Sequence, residues 1–398
     1  MNAEKPFEVL IAGGAVVGAA LARALRGDPQ GAQVALISPQ PRPEAGAAAA
    51  FDSRVYAISP GNAVFLEELG AWGAIAGVRK VPVHGMRVHG DDGESLLEFD
   101  AYRCGCAELA WIVEDRLLQE ALWRGLDGQN GMALFSGAAI QGLEVAGTEV
   151  RLALDDGRRL GAKLVVGTDG AHSVVRSRAG IPSTEQSYGQ SAVVANFACA
   201  KPHRNLAFQW FGGSAKGGAV LALLPLPGEH VSMVWSVPNA EAQRLLALDG
   251  ATLSGEVAAA SRAALGELSL VSAQRGFPLR RLAASRLVAP RIALAGDAAH
   301  VIHPLAGQGA NLGLQDARAL AAVLAAREPG RDPGELRLLR RYERSRAEAN
   351  LAMAGTVHGL FRLFDAPGAG VARLRNAGLN LADRLPVLKN LLMRQAMS

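Results

Sequence analysis

The stretch VLIAGGAVVGAALA, Val9 to Ala22, restricts the fold more than any other part of the chain. Val9–Ala12 is a short apolar run of the kind a buried strand shows, and Val16 to about Arg26 has helical spacing. Gln33–Ser38 is a second strand-like run. Strand, helix and strand in that order call for a parallel α/β sheet. The turn after the first strand almost spells G-x-G-x-x-G, a dinucleotide fingerprint. Gly13 stands where the tight turn is made, Gly18 where helix packs on strand, and Gly14 between them. Ala15 puts a methyl group where the backbone would approach a pyrophosphate, at a helix start whose amides and dipole favour anions. The second strand ends at Ser38, where an acid usually holds ribose hydroxyls; serine can hydrogen-bond there without the charge. Alone, the stretch fits either a nucleotide site or an ordinary strand–helix turn.

The 398 residues are enough for two or three domains. KLVVGTDGAHS and RIALAGDAAH are further apolar strands that stop at Gly and Asp. Between them, from about Ile181 to Pro278, strand-like runs joined by Gly and Pro turns predict an inserted, mostly antiparallel sheet. After Gly307 the chain is Ala/Leu-rich and helical. The expected fold class is α/β, α+β overall. A Rossmann-like nucleotide-binding domain takes residues 1–75, 105–180 and 280–350. A β-sheet domain takes 76–104 and 181–279, and a helical region covers 351–398.

Hydrophobic residues make up 49% and charged residues 20%, which suits a globular protein. The cationic excess is small, 41 Lys and Arg against 37 Asp and Glu, and no basic run or basic–aromatic stripe accompanies it, so no nucleic-acid partner is expected. Cys104, Cys106 and Cys199 form neither a disulfide framework nor a zinc pattern and are read as reduced thiols. No signal peptide or membrane span is apparent, which points to a cytoplasmic location.

Two later motifs carry chemistry. GTDGAHSVVR, Gly167–Arg176, places Asp169 and Gly170 at a strand end, as a functional carboxylate or a plain Asp-Gly turn. ALAGDAAHVIHPLAGQGANLGLQDA, Ala293–Ala317, is more specific. A strand delivers Asp297; Pro304 and the glycines Gly307, Gly309 and Gly313 then lead into a helix whose first amides would face an electron-rich group. Asp297, His300 and His303 recur every third residue, but Pro304 and the glycines argue for a turn rather than a metal-binding helix face. His300 is read as a hydrogen-bonded structural histidine.

GGAVVG, DSRVYAIS, GTDGAHSVVR and GDAAHVIHPLAGQGANLGLQDA follow one another in an order that resembles the FAD-dependent aromatic hydroxylases of the para-hydroxybenzoate hydroxylase fold. Within them the chain is most similar to the ubiquinone-biosynthesis hydroxylases, over about residues 6–350, and the tail NAGLNLADRLPVLKNLLMRQAM fits that subgroup. The departures are Ala15 and Ser38, both at the ADP end of the cofactor. The resemblance implies that Gly13, Gly14, Ala15, Gly18 and Ser38 surround the ADP half of FAD. Arg54 would lie along the flavin side. Asp169 and Gly170 would serve FAD and NAD(P)H, and Asp297 the ribitol or pyrophosphate region. Gly307, Gln308, Gly309, Ala310 and Asn311 would present amides to the pyrimidine edge, with Pro304 beside the ring. Pro304, Gly309 and Asn311 would thus position the flavin, and no acid–base residue is assigned.

The implied activity is a monooxygenase that uses FAD, NAD(P)H and O2, through a flavin C4a-hydroperoxide, to hydroxylate an electron-rich ring. Substrate choice would fall to the inserted sheet, where Phe208, Trp210, Phe211, Val231, Met233 and Trp235 suggest an apolar face over the flavin; each is read as core ahead of substrate contact, with Trp210 and Trp235 the candidate contacts. A carboxylate substrate would want a buried Arg, for which Arg204, Arg275 and Arg280 are candidates. The apolar texture and the subgroup favour a polyprenylated phenol. A small soluble phenol, a flavin reductase and a non-catalytic flavoprotein subunit of a biosynthetic complex are the competing readings. In the tail, Leu381, Leu385, Leu388 and Leu392 recur at helical spacing. They form either an apolar face for the chain itself or for a homo-oligomer, or a docking surface for a membrane or multi-enzyme complex.

Overall fold

The computed structural model describes residues 6–26, 33–43, 50–92, 94–126, 132–212, 218–303 and 307–347. Pro304 and the leucines of the tail lie outside these residues. The opening strand forms over Phe7–Ala12, the helix over Val16–Leu25 and the second strand over Val34–Ser38. They belong to an eight-stranded sheet. Its parallel core runs, in spatial order, Ile292–Leu294, Arg159–Gly167, Phe7–Ala12, Val34–Ser38 and Met132–Ser136. These strands read as continuous apolar runs because both faces are covered. Val9 and Ile11 enter a core shared with helices Val16–Leu25, Asp115–Arg124 and Gly309–Ala325. Leu10 and Ala12 enter a second core beneath the antiparallel strands Ile140–Ala146 and Glu149–Leu154.

The inserted segment forms a nine-stranded sheet, antiparallel except where Leu206–Phe211 runs parallel to Gly85–His89. Helices Asn239–Leu246 and Gly250–Ala260 cover one face, where Leu245, Leu253 and Val257 meet Phe197, Trp210, Leu221 and Met233. A third sheet of three antiparallel strands, Val55–Ile58, Ala110–Glu114 and Val81–Val83, was not anticipated. It packs on the other face of the nine-stranded sheet, where Val83 and Ile112 join Ala207 and Leu226. The chain thus crosses between the larger sheets through a small bridge that carries the DSRVYAIS motif.

The helix over 336–347 closes the structure. Tyr342 is fully buried and its hydroxyl donates to the Leu294 carbonyl at 2.8 Å, at the end of a parallel strand. Tyr342→Phe leaves that carbonyl unpaired, and a loss of about 1–3 kcal/mol is expected in urea denaturation.

Candidate functional site

Register places the motifs together. Ala12 pairs with Ile37 on one side and Gly167 on the other, and Gly167 pairs with Leu294. Four parallel strands therefore end at one level. The ladder runs on into the turns: Gly13 N donates to Ile37 O at 2.8 Å, Thr168 N to Ala12 O at 2.8 Å and Ala295 N to Gly167 O at 2.9 Å. Ser38, Gly13, Asp169 and Asp297 leave from this single edge, which in open α/β sheets is where ligands bind.

The glycines are required by backbone crowding. A Cβ on Gly13, whose φ is +113°, would lie 2.3 Å from Thr168 O, and one on Gly18 would lie 1.8 Å from Gly13 O. A Cβ on Gly14 would meet the Trp123 ring at 2.5 Å and Ser38 at 2.7 Å. Two side chains the motif did not reveal fasten the turn. Trp123 is buried and donates from Nε1 to Gly14 O at 2.7 Å, and Thr168 Oγ1 lies 2.9 Å from both Ala12 O and Gly13 O. Ala15 is exposed, with an ordinary φ of −71°, so the alanine costs no strain. Ser38 is buried, and its hydroxyl donates to Gln40 O at 3.0 Å.

Two helix N-termini meet here. Helix Val16–Leu25 starts at Ala15 and helix Gly309–Ala325 at Gln308; neither has a side-chain cap or an acid in its first turn. They touch at Gly313, where a Cβ would come 2.5 Å from Val17 Cγ2 and 3.3 Å from Gly296 Cα. A Cβ on Gly309 would meet no other segment within 4 Å among the described residues. Two positive dipole ends thus remain available to electron-rich groups. Asp169 adds a carboxylate whose Oδ2 accepts from Val175 N at 3.1 Å while its buried Oδ1 has no partner. Arg176 ties this loop to the third motif by donating to Ala171 O and Ala298 O, both at 2.8 Å.

Arg54 and Asp297 are exposed at this edge of the sheet. Desolvation raises the Asp297 carboxyl above its usual range, opposed by the charges of Arg54, His300 and Arg280. The Arg54 guanidinium lies 5.4 Å from the Tyr56 ring centre. Arg280 bonds His172 of the second motif at 2.7 Å and Glu185 at 3.0 Å.

Asn311 has a more internal place than a flavin-facing side chain would need. It is buried; Oδ1 accepts from Ser59 N and Asn62 Nδ2, both at 3.0 Å, and Nδ2 donates to Ala57 O at 2.8 Å. The side chain clasps strand Val55–Ile58 to the long helix, leaving the backbone amides of the first turn as the groups that can face a ligand. His300 Nε2 bonds Asp316 Oδ2 at 2.6 Å, Arg346 Nε donates to Asp316 Oδ1 at 2.7 Å, and Gly296 N donates to Oδ2 at 3.0 Å. Asp316 is wholly buried beneath the Asp297 turn. His303 packs edge-on against Tyr188 at 4.8 Å, and burial pushes its imidazole down to about 4. The two histidines therefore present no common ligand face.

Trp210 and Trp235 sit differently from the reading of an aromatic face over the site. They share the helix-covered face with Phe208, Val231 and Met233. Trp210 stacks on His89 at 5.4 Å and Phe208 at 5.7 Å. Alternation separates two faces of a strand, but only the helices 239–260 decide which one becomes core.

Two outcomes follow. Asn311→Ala strands the Ser59 amide and the Ala57 carbonyl, each worth about 1–3 kcal/mol, while Asn62 Nδ2 keeps Ser59 Oγ at 3.0 Å, and a loss on the order of 3 kcal/mol is expected in urea. For the ion cluster, burial would lower the His300 imidazole, but Asp316 outweighs it and raises it; burial opposes Asp316 ionisation, but His300 and Arg346 hold that carboxyl low. The His300 contribution is complete below its unfolded value of 6.5 and fades as pH rises through the raised value. The stability gap between wild type and His300→Gln should therefore narrow from pH 6 to 9; a constant gap contradicts the assignment.

The profile of the FAD binding domain family matches residues 6–355. The chain is 36% identical to the ubiquinone hydroxylase UbiL of Rhodospirillum rubrum, over 100% of this chain and 90% of that protein. It is 33% identical to the 3-demethoxyubiquinol 3-hydroxylase of Escherichia coli, over 99% of each. Among solved structures it is similar to Pseudomonas aeruginosa PqsL in complex with 2-aminobenzoylacetate, with a TM-score of 0.76 and 26% identity, over 94% of this chain and 99% of that one. The p-nitrophenol 4-monooxygenase PnpA of Pseudomonas putida shares the fold at a TM-score of 0.81 and 18% identity, over 100% of this chain and 99% of that one. The converging turns and the length of these matches lead to one assignment: the chain belongs to the FAD binding domain family, as an FAD-dependent monooxygenase.

Proposed function

We propose that this enzyme hydroxylates the aromatic ring of a polyprenylated phenol in ubiquinone biosynthesis, with NAD(P)H and O2 as co-substrates. The observation that carries the reading is full-length similarity to two ubiquinone-pathway hydroxylases, combined with three motif turns on one sheet edge. The residues fit FAD: two unguarded helix starts and, among the described residues, a buried Asp169 oxygen without a partner are what an extended, partly anionic cofactor with hydroxyl groups needs.

In this reading the amides after Ala15 take the pyrophosphate, Asp169 and Asp297 take hydroxyl groups of the cofactor, and Arg54 lies along its flavin half. When bound, FAD would carry two electrons from NAD(P)H to O2, so that one oxygen atom of O2 enters the ring and the other leaves as water. Amides at the start of helix Gly309–Ala325 would hold the flavin end and favour negative charge there. The three-stranded bridge, closed against the nine-stranded sheet by Val83, Ile112, Ala207 and Leu226, would limit water on the side of Arg54. Among the described residues no helix is long and apolar enough to cross a membrane. Peripheral association with a membrane or a multi-enzyme complex is part of the proposal because the substrate is so apolar.

Purified protein reconstituted with FAD should oxidise NAD(P)H faster with a prenylated phenol and yield a product heavier by one oxygen atom. Oxidation without oxygenated product would identify a reductase, and a deletion strain with an unchanged quinone profile would overturn the pathway. Ala15→Gly removes the methyl that stands where the backbone would approach the pyrophosphate. FAD should bind roughly threefold tighter by fluorescence titration; Ser38, packed against Gly14, leaves little room for a longer acid.

A further inference from the structure

The small overall cationic excess conceals an asymmetry along the chain. Residues 1–326 carry 28 Lys and Arg against 30 Asp and Glu, whereas residues 327–398 carry 13 against seven. Part of that surplus is displayed by the helix over 336–347. Leu338, Leu339, Tyr342 and Arg346 are buried on its inner side. Arg337, Arg340 and Arg344 are exposed on the opposite side, and residues three, four and seven apart share a helix face. Arg286 is exposed too and is brought to the edge of this helix, because the next amide, Leu287 N, donates to Glu343 Oε1 at 2.8 Å.

The neighbouring acids are already engaged. Glu328 accepts from Arg331 and Arg341, both at 2.8 Å, Glu335 from Arg331 at 2.9 Å and Asp332 from Arg291 at 2.6 Å. Arg286, Arg337, Arg340 and Arg344 have no side-chain hydrogen bond or ion pair among the described residues. Like charges at these spacings destabilise a helix, and side chains that point outward add nothing to the core. The fold therefore gains nothing from the stripe, whose charge complements an anionic surface. Two observations select a lipid bilayer among anionic partners. A prenylated phenol, the substrate read above, is too apolar to leave a bilayer readily. The sequence after residue 347 also keeps the sign, with Arg384, Lys389 and Arg394 standing among Leu381, Leu385, Leu388 and Leu392. A cationic face followed by interleaved cations and leucines suits the boundary of an anionic bilayer.

We propose that the face formed by Arg337, Arg340 and Arg344, with Arg286 at its edge, docks the enzyme on an anionic lipid bilayer. The choice of a lipid rests on the prenylated-substrate reading above; the cationic face itself does not.

The test is flotation of FAD-loaded full-length protein, without substrate, with vesicles of phosphatidylcholine alone or mixed with phosphatidylglycerol. Wild type should float with the mixed vesicles, stay behind with the neutral ones and be released as salt rises. An arginine at a bilayer surface is worth about fivefold in binding. The triple variant Arg337→Gln, Arg340→Gln, Arg344→Gln should therefore bind the mixed vesicles about tenfold or more weakly, with FAD content unchanged and the urea midpoint not lowered. A second variant, Arg87→Gln, Arg124→Gln, Arg151→Gln, removes the same charge elsewhere and should change binding less than about twofold. Equal losses in the two variants would assign the effect to net charge and overturn the proposal. Failure of wild type to float, equal flotation with neutral vesicles, unchanged flotation of the first variant, or tighter binding to duplex DNA also overturns it. Failed flotation with retained hydroxylation of a detergent-dispersed prenylated phenol removes the docking face and leaves the substrate reading standing. Flotation that depends on Arg337, Arg340 and Arg344, in an enzyme that ignores that phenol, supports the face and removes the reading.

Discussion

The shared level at which the parallel strands end is the constraint on which the rest depends. Ile37, Ala12, Gly167 and Leu294 are aligned by backbone hydrogen bonds, and those bonds extend one residue further into each turn. A one-residue slip would turn every apolar side chain of a doubly covered strand to the wrong core. The register is therefore strongly held, and with it the positions of Gly13, Thr168 and Gly296. The site inherits its geometry from packing that has no chemical role.

Electrostatics follows the same plan. Two helix starts lack caps and acids, so their amides are left for a ligand. Beneath the Asp297 turn the polar groups instead bond one another: Asp316 takes His300, Arg346 and the Gly296 amide. Removing one member of such a buried cluster costs far more than the cluster adds, because its partners stay buried. Arg176 and Asn311 work in the same way without an ion pair, each spending its side chain on the backbone of a neighbouring segment. Matched groups hold the turns, and unmatched groups mark where something else is meant to bind.

Much of this was legible in the chain. Apolar runs ending in Gly or Asp announced the parallel strands, and the order of motifs announced the family. The glycines were legible as positions of close approach, but their neighbours were not: Gly13 avoids Thr168, Gly18 avoids Gly13 and Gly313 avoids Val17. Trp123, which fastens the first turn, and Asn62, which holds Asn311, come from segments without a motif, and Thr168 lies inside the second motif with no sign there of its bonds to Ala12 and Gly13. Asp316 lay inside the quoted third motif, yet nothing in its spacing separated a surface helix acid from the buried partner of His300. The bridge sheet escaped notice because its strands are short and their partners distant in sequence. Trp210 and Trp235 show the limit of alternation, since the helices that bury their face follow them in the chain.

The central claim is that three sequence-distant turns serve one FAD. Hydrogen–deuterium exchange of the full chain, with and without added FAD, tests it directly. Protection should appear together in residues 13–18, 168–176 and 296–311, and all three should saturate at one FAD per chain. Protection confined to residues 13–18, or segments that saturate at different FAD concentrations, would contradict it.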